Sequence, residues 1–489
     1  MDCVYHVSPG GIGVIKVAMS LLVANNETLN SLDQILGNLN SHCVGVLGLG
    51  VAGRAMALYL ARRGAKVIGL DSNVTINNAD ELKQASIELH LGDSNIEVVG
   101  NIDGLAISPG VDPRQTLVTS CLNRNIPVFG ELELVGKLPA RVVGITGTNG
   151  KSTTTAMIAA LIKGVGKQVF IGGNFGEPLV AWLDRNEKVD TAVIELSSFQ
   201  LETAFRFNAN VAIILNLTPD HLNRYESFAE YGQAKRRIIE NLSQESVAIL
   251  SFDDPSIRDM ATATKARVWW FSTQSKDIPG DGAFLDGELM VPVGSLSSYP
   301  SINLTHSYLL GRHNRQNALA AILAAYALNI KDSSELYHAY QEFHGLEHRL
   351  EFIDEVNGVR FINDSKATND DAAAIAINAI EKPIVLLLGG RSKGSGYQNI
   401  YKSATGKLRA IVAFGEARDE IAKTFNGYCD LFLTNNMTQA LRQSIGIAQI
   451  GDVVMLSPAC ASFDEFSNYS ERGRVFKQLV HDFAKGRPI

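Results

Sequence analysis

The sequence has few cysteines, no excess of positive charge and no long uninterrupted apolar run. Its five cysteines, at positions 3, 43, 121, 429 and 460, are far apart and form no C-x-x-C pair. This argues against a zinc ribbon or a disulfide scaffold and fits the reduced thiols of a cytoplasm. The net charge of −7 provides no global basic field to attract nucleic acid or an anionic membrane. We therefore expect a cytoplasmic protein with no nucleic-acid partner.

The apolar segment near the N-terminus, "GGIGVIKVAMSLLVA", is interrupted by Lys16, and no basic residue precedes it. It is short for a membrane-spanning helix and lacks the flanks of a signal peptide. Residues 1–42 are interpreted as an extension of unknown role, and no stable membrane insertion is expected.

The chain of 489 residues, with 46% apolar and 19% charged residues, has an ordinary globular composition. Its length suggests roughly three domains at about 150 residues each. From Cys43 onward, short β-rich runs alternate with amphipathic helical patterns, which is typical of parallel sheets covered by helices. The pattern predicts an α/β fold of three domains, at residues 43–129, 130–345 and 346–489.

Three short stretches of sequence carry local expectations. In "EFIDEVNGVRFIND", the Asn-Gly pair between two alternating runs predicts a β-hairpin at the start of the third domain. The runs "PIVLLLGG", "AIVAFG" and "DVVMLSP" then predict buried parallel strands. Residues 295–304, "SLSSYPSINL", are expected to form a surface loop.

A first glycine loop, "GLGVAG" at residues 48–53, follows the apolar run "CVGV" and fits G-x-G-x-x-G. Asp71 ends the next predicted strand, 18 residues past Gly53, where dinucleotide folds place an acidic residue on a ribose diol. The pattern predicts a diphosphate and a ribose, a description that fits UDP as well as a nicotinamide dinucleotide. A tight turn without a ligand is the alternative.

A second loop, "GTNGKST" at residues 147–153, lies between a predicted strand and a predicted helix. Backbone N–H groups at such a helix start favour phosphate. Lys151 would reach the outer phosphates, and Ser152 or Thr153 would offer a hydroxyl to Mg²⁺. Ile145 occupies the position where the usual P-loop has its first glycine, so the strict pattern fails by one residue. A glycine-rich turn without a ligand is again the alternative.

At "GITGTNGKSTTT" the chain resembles the Mur ligase family, the ATP-dependent amino-acid ligases of peptidoglycan synthesis. Further segments occur in family order: "ELSSFQLE" (195–202), "NLTPDHLNRY" (216–225), "YGQAKRRI" (231–238), "GRHNRQNALAA" (311–321), "GLEHRLEF" (345–352), "NDSKATN" (363–369), "LLLGG" (386–390) and "SPACASFDEF" (457–466). Within the family, "NDSKATN", "SPACASFDEF" and "SPG" (108–110) resemble the branch that adds D-glutamate. The resemblance covers about residues 43–489.

The resemblance implies a Rossmann-like domain for the UDP-linked substrate, a central P-loop ATPase-like domain and a Rossmann-like C-terminal domain that binds the amino acid and closes on ATP. It implies that ATP, with two Mg²⁺ ions, converts the carboxylate of UDP-N-acetylmuramoyl-L-alanine into an acyl phosphate. The amine of D-glutamate then attacks, and phosphate leaves. Charge accumulates at the transferring phosphoryl group, so cations and oriented N–H groups matter more than a covalent nucleophile. A monomer is expected.

The site residues are carried over from the family by matching motifs. The catalytic set is Lys151, Asn174, His221 and Lys235, the last as a carbamate. The ATP set is Gly147, Thr148, Asn149, Gly150, Lys151, Ser152, Thr153, Asn314, Asn317, Arg349 and Asp364. The UDP-substrate set is Gly48, Gly50, Val51, Gly53, Asp71, Gly110, Asn174 and His221. The D-glutamate set is Lys366, Thr368, Lys393, Ser462, Phe463 and Tyr469, and the metal set is Ser152, Glu195, His221 and Lys235.

Several of these residues have an ordinary structural alternative. From sequence alone, Lys235 fits a solvated lysine on an amphipathic helix, and Glu195 fits the surface end of a strand. The alternatives for the others are a structural histidine at 221, a turn residue at 174, residues that cap or pack the helix at 314 and 317, core or cap residues at 462 and 463, and a solvated lysine at 393. Asn73 occupies the position where a close relative has an arginine near uracil, which leaves the uracil contact open.

Three other functions are alternatives to a ligase that adds D-glutamate. An NAD(P) oxidoreductase built on the first loop leaves "GTNGKST" and "NDSKATN" unexplained. A non-catalytic nucleotide-binding regulator does not need Lys151, Glu195, His221 and Lys235 together. A sibling ligase that adds another amino acid remains the nearest alternative.

Overall fold

The computed structural model describes residues 26–76, 78–92, 96–221, 224–305, 309, 311–392, 394 and 396–488. These residues form two compact units. The first unit contains the described residues up to Thr148, together with Phe170–Ala248 and Ser256–Arg267. The second contains Asn149–Val169, Ile249–Pro255 and the described residues from Val268 onward. No helix of the described residues is long and apolar enough to cross a bilayer.

Short strands and helices alternate through the N-terminal part of the first unit. They are α1 (Asn26–Gly37), β1 (Cys43–Leu47), α2 (Val51–Arg62), β2 (Lys66–Asp71), α3 (Ala79–Gln84), β3 (Glu88–Leu91), β4 (Gly104–Ile107), α4 (Thr116–Asn123), β5 (Val128–Phe129) and α5 (Glu131–Leu134). The strands are parallel in the order β3-β2-β1-β4-β5. The order reverses between β1 and β4, and open α/β sheets bind ligands at such a point.

The predicted extension of residues 1–42 is described only from residue 26. Helix α1 buries Leu32 and Ile35, and a Cβ at Gly104 on β4 would lie 3.2 Å from the Ile35 side chain. Asp33 forms an ion pair with Arg206, which also pairs with the buried Glu133. This helix is therefore part of the packed first unit.

The central part of the chain continues the same alternation. Its elements are β6 (Arg141–Thr146), α6 (Lys151–Gly164), β7 (Val169–Gly173), α7 (Leu179–Arg185), β8 (Thr191–Glu195), α8 (Ser198–Leu201), β9 (Val211–Ile214), α9 (Phe228–Glu240), β10 (Val247–Ser251), α10 (Pro255–Met260), β11 (Arg267–Ser272), β12 (Asp281–Asp286), β13 (Leu289–Val293), β14 (Ile302–Asn303), α11 (Arg312–Ala327) and α12 (Ser333–Gln341). In the first unit, β6 lies between β8 and β9 and is parallel to both.

The predicted surface loop at 295–304 is wrong in part. In the second unit, β14 pairs antiparallel with β13, so this segment adds a short strand to the sheet. Leu296, Ile302 and Leu304 are buried. The serines and the proline around them suggested a loop, but the three apolar side chains pack in the interior and tertiary pairing decides the outcome.

The C-terminal part of the second unit contains β15 (Glu351–Val356), β16 (Val359–Asn363), α13 (Asp370–Ala379), β17 (Ile384–Gly389), α14 (Gln398–Ser403), β18 (Leu408–Phe414), α15 (Arg418–Thr424), β19 (Asp430–Leu433), α16 (Met437–Ile447), β20 (Val453–Ala459) and α17 (Tyr469–Ala484). The strand order is β15-β16-β20-β17-β18-β19. The hairpin β15–β16 is confirmed, and its turn residues Asn357 and Gly358 have φ values of 53° and 76°.

The three predicted parallel strands of this part are also confirmed. Successive residues of β17 enter two different cores, with Leu386 in one and Val385 and Leu387 in the other. A sheet covered by helices on both faces requires apolar residues at every position, which explains the unbroken run in "PIVLLLGG". The α/β class with three sheets is confirmed for the described residues, and the domain boundaries stay predictions.

Candidate active site

A cavity of about 320 Å³ lies at the point in the N-terminal sheet where the strand order reverses. Gly48 and Gly50 after β1, Asp71 at the end of β2, and Gly110 after β4 contribute to its lining. Four members of the predicted UDP-substrate set therefore share one cavity. Val51 does not line it and is 67% exposed at the start of α2.

The glycines of the first loop permit close backbone contacts. Gly48 has a φ of 83° and donates its N–H to the Leu70 carbonyl at 2.8 Å. A Cβ at Gly53 would lie 1.7 Å from the Gly48 carbonyl oxygen, so no side chain fits there. Helix α2 can therefore begin directly against the loop.

The Asp71 carboxylate holds the backbone around the cavity. Its Oδ2 accepts the Leu49 N–H at 2.7 Å, and its Oδ1 accepts the backbone N–H and the side-chain amide of Asn73 at 2.9 and 2.8 Å. Asn73 thus supports Asp71 directly. His90, Ser108 and Gln115 also line the cavity but were not among the predicted site residues, although Ser108 begins the segment "SPG".

The second glycine loop is anchored in the first unit through Thr148. Its N–H donates to the Asn216 carbonyl at 3.0 Å, and its hydroxyl accepts the Thr218 N–H at 3.0 Å. The same hydroxyl lies 3.1 Å from the Tyr231 hydroxyl. Burial raises the pKa of Tyr231 to about 12, so this hydroxyl stays protonated at neutral pH. Tyr231 was not predicted, although it begins the segment "YGQAKRRI".

In the second unit, the same loop continues into α6. Gly150 has a φ of 84°, and a Cβ there would lie 2.3 Å from Asn317 Oδ1. The Asn317 amide donates to Asn314 Oδ1 at 3.2 Å, and both side chains are buried. Asn317 on α11 therefore lies against the loop, and Asn314 supports it. Lys151, Ser152 and Thr153 form the first turn of α6, with Ser152 buried, while Asn149 before them is exposed.

Glu195 is only 2% exposed at the end of β8, which excludes the surface alternative. Asn174 donates its backbone N–H to the Glu195 carbonyl at 2.8 Å and its side-chain amide to Oε1 at 2.7 Å. The other carboxylate oxygen, Oε2, is buried and has no hydrogen-bond partner in the described part of the chain. Glu195 and Asn174 are thus brought together in the first unit.

Lys235 is 1% exposed, so the solvated alternative is wrong. Its ammonium donates to the Gly147 carbonyl at 2.8 Å and lies 4.7 Å from the centre of the Tyr231 ring. Helix α9 therefore places a buried cation beside Gly147, the first residue of the phosphate loop.

His221 is placed differently from these buried groups. Its side chain is 46% exposed and its φ is 53°. Nε2 lies 3.5 Å from Asp220 Oδ2, and the ring centre lies 4.8 Å from that of Phe199. The described residues contain no cluster of three or more His, Cys, Asp or Glu side chains able to hold a metal ion.

In the C-terminal part, Asp364 is buried and accepts hydrogen bonds from the Ser457 hydroxyl at 2.7 Å and the Leu350 N–H at 3.1 Å. Burial raises the pKa of Asp364 to about 7, although these bonds and the Arg349 charge act in the opposite direction. Arg349 Nε is itself buried and lacks a hydrogen-bond partner among the described residues.

The predicted D-glutamate residues are only partly assembled. The Lys366 ammonium lies 5.7 Å from the centre of the Tyr469 ring, and Ser462 is buried. Thr368 is half-buried, and Phe463 is 62% exposed. Lys393 lies outside the described residues.

Three family models match the chain. A Mur ligase MurD-like N-terminal domain matches residues 42–130, a Mur ligase middle domain matches residues 145–325, and a Mur ligase glutamate ligase domain matches residues 348–460. Together they account for most of the chain beyond residue 41.

Curated relatives match along nearly their whole length. The UDP-N-acetylmuramoylalanine--D-glutamate ligase of Thermoanaerobacter pseudethanolicus is 37% identical over 449 residues, which cover 90% of this chain and 98% of the relative. The enzyme of the same name from Syntrophus aciditrophicus is 39% identical over 454 residues, which cover 90% and 97%.

Solved structures show the same fold at lower identity. A UDP-N-acetylmuramate-alanine ligase from Thermotoga maritima has a TM-score of 0.55 at 18% identity and covers 91% of this chain and all of its own. A pseudomurein peptide ligase type C from Methanothermus fervidus has a TM-score of 0.53 at 19% identity and covers 90% of this chain and all of its own.

Proposed function

The chain belongs to the Mur ligase family and is an ATP-dependent amide ligase, and we propose that it joins D-glutamate to UDP-N-acetylmuramoyl-L-alanine. The product would be a peptidoglycan precursor, with ADP and phosphate released. The choice of substrates is supported by relatives named for D-glutamate addition, which match over 97–98% of their own length. The segments "NDSKATN" and "SPACASFDEF" support the same choice.

The observation that carries the proposal is the buried Glu195 carboxylate. Asn174 holds one of its oxygens, and the other lacks a hydrogen-bond partner in the described residues. An unpaired buried carboxylate oxygen is costly, so the site suits a cation that arrives with the nucleotide. Strand β8 carries Glu195 beside Ile145 of β6, the strand that leads into the phosphate loop.

Glu195 therefore fits a ligand of Mg²⁺, which prefers oxygen donors and usually binds with few carboxylates and several phosphate or water oxygens. When bound, Mg²⁺ would neutralise charge on the phosphates and polarise the transferring group. Ser152 is proposed as a second oxygen donor from its motif. The proposal of a second ion at His221 and Lys235 rests on the family resemblance.

A carboxylate resists attack by an amine because its charge repels nucleophiles and oxide is a poor leaving group. Phosphorylation converts the oxygen into a phosphate leaving group, and the amine of D-glutamate then adds to the acyl carbon. Lys151 and the loop N–H groups would stabilise the charge on the transferring phosphoryl group. Asn174 is proposed to contact both the substrate and this group. No covalent enzyme intermediate is needed.

Lys235 is proposed to act as a carbamate. The neutral amine attacks CO₂, a C–N bond forms, and a proton leaves, so a cation becomes an anion. Its Nζ is buried 2.8 Å from the Gly147 carbonyl at the start of the phosphate loop, which supports this role. As a carbamate, this residue would help to position Mg²⁺.

The UDP end of the substrate is proposed to occupy the cavity beside Gly48 and Asp71. The cavity lies outside the carboxyl ends of parallel strands, where open α/β sheets bind nucleotides. D-Glutamate and part of ATP are proposed to bind the C-terminal part of the second unit, at Lys366 and Asp364.

The deciding experiment measures phosphate release from ATP and UDP-N-acetylmuramoyl-L-alanine with a panel of D- and L-amino acids. We expect release only when all three substrates are present, with D-glutamate preferred by about tenfold or more in kcat/KM. Preference for another amino acid would make the chain a sibling ligase. Absence of release with every amino acid would contradict the proposed reaction.

A further inference from the structure

Arg472 on α17 is fully buried, at 0% exposure. Its Nε donates to the Ser365 hydroxyl at 3.0 Å, and its Nη2 donates to the carbonyls of Ser365 at 2.9 Å and Cys460 at 3.1 Å. Ser365 in turn donates its hydroxyl to the Tyr469 carbonyl at 2.8 Å. One side chain therefore cross-links two segments that are 95 positions apart in the sequence.

The Arg472 charge has no close counterion. Asp464 and Glu465 act on it electrostatically, but neither forms an ion pair or a hydrogen bond with it within the described part of the chain. Its Nη1 is buried and has no hydrogen-bond partner among the described residues. This nitrogen faces Gly390, where a Cβ would lie 3.0 Å away. Burial lowers the pKa of Arg472 to about 10, so the group remains a cation at neutral pH.

Packing alone does not explain a buried cation of this kind. A buried charge without a paired carboxylate carries a desolvation cost, and apolar residues of similar volume usually serve a core as well or better. The guanidinium differs from such residues because its planar fork can fix several backbone oxygens at once and supplies a positive charge. Both properties are useful where an anion has to be held in a defined position.

The groups that Arg472 contacts lie at the edge of the C-terminal sheet where ligands are expected. Ser365 is adjacent to Asp364 and Lys366 in "NDSKATN", and Cys460 follows the end of β20, two residues before Ser462. Gly390 follows the end of β17, which is paired with β20. The cross-link therefore joins the two segments that carry most of the proposed amino-acid contacts.

We infer that Arg472 is a positioning residue for the incoming amino acid. It fixes the spacing between Lys366 and Ser462 through the backbone of Ser365 and Cys460, and its charge favours an amino acid with an extra carboxylate. The inference rests on the proposed function, since it concerns the same amino-acid site. Arg472 itself is not expected to touch the reacting atoms.

The test measures the KM of each of the three substrates separately in Arg472→Met, Arg472→Lys and Ser365→Ala. The matched control is Arg474→Met, which removes an exposed arginine from the same helix. For Arg472→Met we expect the KM for D-glutamate to rise about tenfold or more, as for the loss of hydrogen bonds to a charged group. The KM values for ATP and the UDP-linked substrate should change less than about twofold under the same reasoning.

The other two variants separate charge from geometry. Arg472→Lys keeps the charge, but a single ammonium lacks the planar fork that bonds both carbonyls and the hydroxyl. We expect the KM for D-glutamate to rise in Arg472→Lys, but less than in Arg472→Met. Ser365→Ala removes the two hydrogen bonds of the hydroxyl, with Arg472 Nε and the Tyr469 carbonyl, but keeps the bonds of Arg472 to the two backbone carbonyls. It should raise the same KM less than Arg472→Met does. Arg474→Met should leave all three KM values unchanged.

An equal change in all three KM values, or no change in the KM for D-glutamate in a folded variant, would overturn the inference. Thermal unfolding is measured on every variant, and if Arg472→Met does not fold, Arg472→Lys and Ser365→Ala decide by the same criterion. If the wild-type protein selects a different amino acid, the substrate assignment is wrong. The KM comparison is then made with that amino acid, and it still tests the role of Arg472.

Discussion

Asn174 donates two hydrogen bonds to Glu195, one from its backbone N–H to the Glu195 carbonyl and one from its side-chain amide to Oε1. Gly173 allows this approach, since its φ is 92° and a Cβ there would lie 2.3 Å from the same carbonyl oxygen. The carboxylate is thereby fixed in orientation, with Oε2 left without a partner in the described residues.

Asn174→Ala should lower kcat for phosphate release by about 10- to 150-fold, since a hydrogen bond to a charged group contributes roughly 1.5–3 kcal/mol. Asn174→Asp should be at least as damaging, because it places a second carboxylate beside Glu195. The exposed Asn208, changed to alanine, is the control and should retain normal kcat. Normal turnover by a folded Asn174→Ala protein would contradict the role of the pair.

Gly150→Ala should weaken ATP binding and stability together. The left-handed φ of 84° costs about 1–2 kcal/mol for a residue with a Cβ, and that Cβ would lie 2.3 Å from Asn317 Oδ1. Gly166→Ala is the matched control, since Gly166 also has a positive φ, of 73°, but no neighbour within 4 Å. Thermal unfolding and the KM for ATP should both change more in Gly150→Ala. Equal effects would mean that backbone strain alone is responsible.

Lys235→Ala should lose most activity and regain part of it with added short carboxylic acids, which would replace the missing carbamate anion. Arg236 on the same helix has a side chain that is 41% exposed and pairs with Glu240 in an i,i+4 contact, so Arg236→Ala should retain activity within about twofold. Mass spectrometry under CO₂ checks the modification directly. Full activity of Lys235→Ala would show that neither the ammonium nor a carbamate is required.

The sequence predicted the parallel strands of the C-terminal sheet well, because unbroken apolar runs such as "PIVLLLGG" leave few other structures possible. It also predicted the hairpin at Asn357 and Gly358, whose positive φ values match the turn chemistry. In both cases the signal is local, so neighbouring residues are sufficient to specify the structure.

Other features depend on tertiary contacts that the local sequence does not specify. The amphipathic pattern around Lys235 does not show that its ammonium is buried against the Gly147 carbonyl 88 positions away. Likewise, no local pattern shows that Arg472 reaches Ser365, or that Tyr231 lies beside Thr148. These polar contacts form only when distant segments pack together.

Asp364 should make stability depend on pH. Because its pKa is raised to about 7 in the folded protein from an ordinary value of 3.8, the folded state holds more protons than the unfolded state between these values. The free energy of unfolding should therefore fall through this group as the pH rises from 4 through 7, and this contribution should level off above about pH 8. Asp364→Asn should remove this part of the slope.

The measurement is urea unfolding of wild-type and Asp364→Asn protein at pH 5 and pH 7. Glu131 also has a pKa raised to about 7 by burial and changes stability in the same direction. Asp364→Asn leaves that contribution in place, so a reduced but nonzero pH dependence is expected. An unchanged pH dependence would mean that the Asp364 pKa is close to its ordinary value.

Asp71→Ala should weaken binding of the UDP-linked substrate without affecting ATP. The carboxylate accepts the Leu49 N–H at 2.7 Å and so holds the backbone between Gly48 and Gly50 beside the cavity. Loss of this charged hydrogen bond is worth roughly 1.5–3 kcal/mol, which corresponds to a rise of about 10- to 150-fold in the KM for that substrate. Asn73→Ala removes one donor to the same carboxylate and should have a smaller effect.

Heat protection provides a second measurement, because UDP-N-acetylmuramoyl-L-alanine should stabilise the wild-type protein and NAD should not. Comparable protection by micromolar NAD would favour a dinucleotide in this cavity and contradict the assignment of the first glycine loop to UDP.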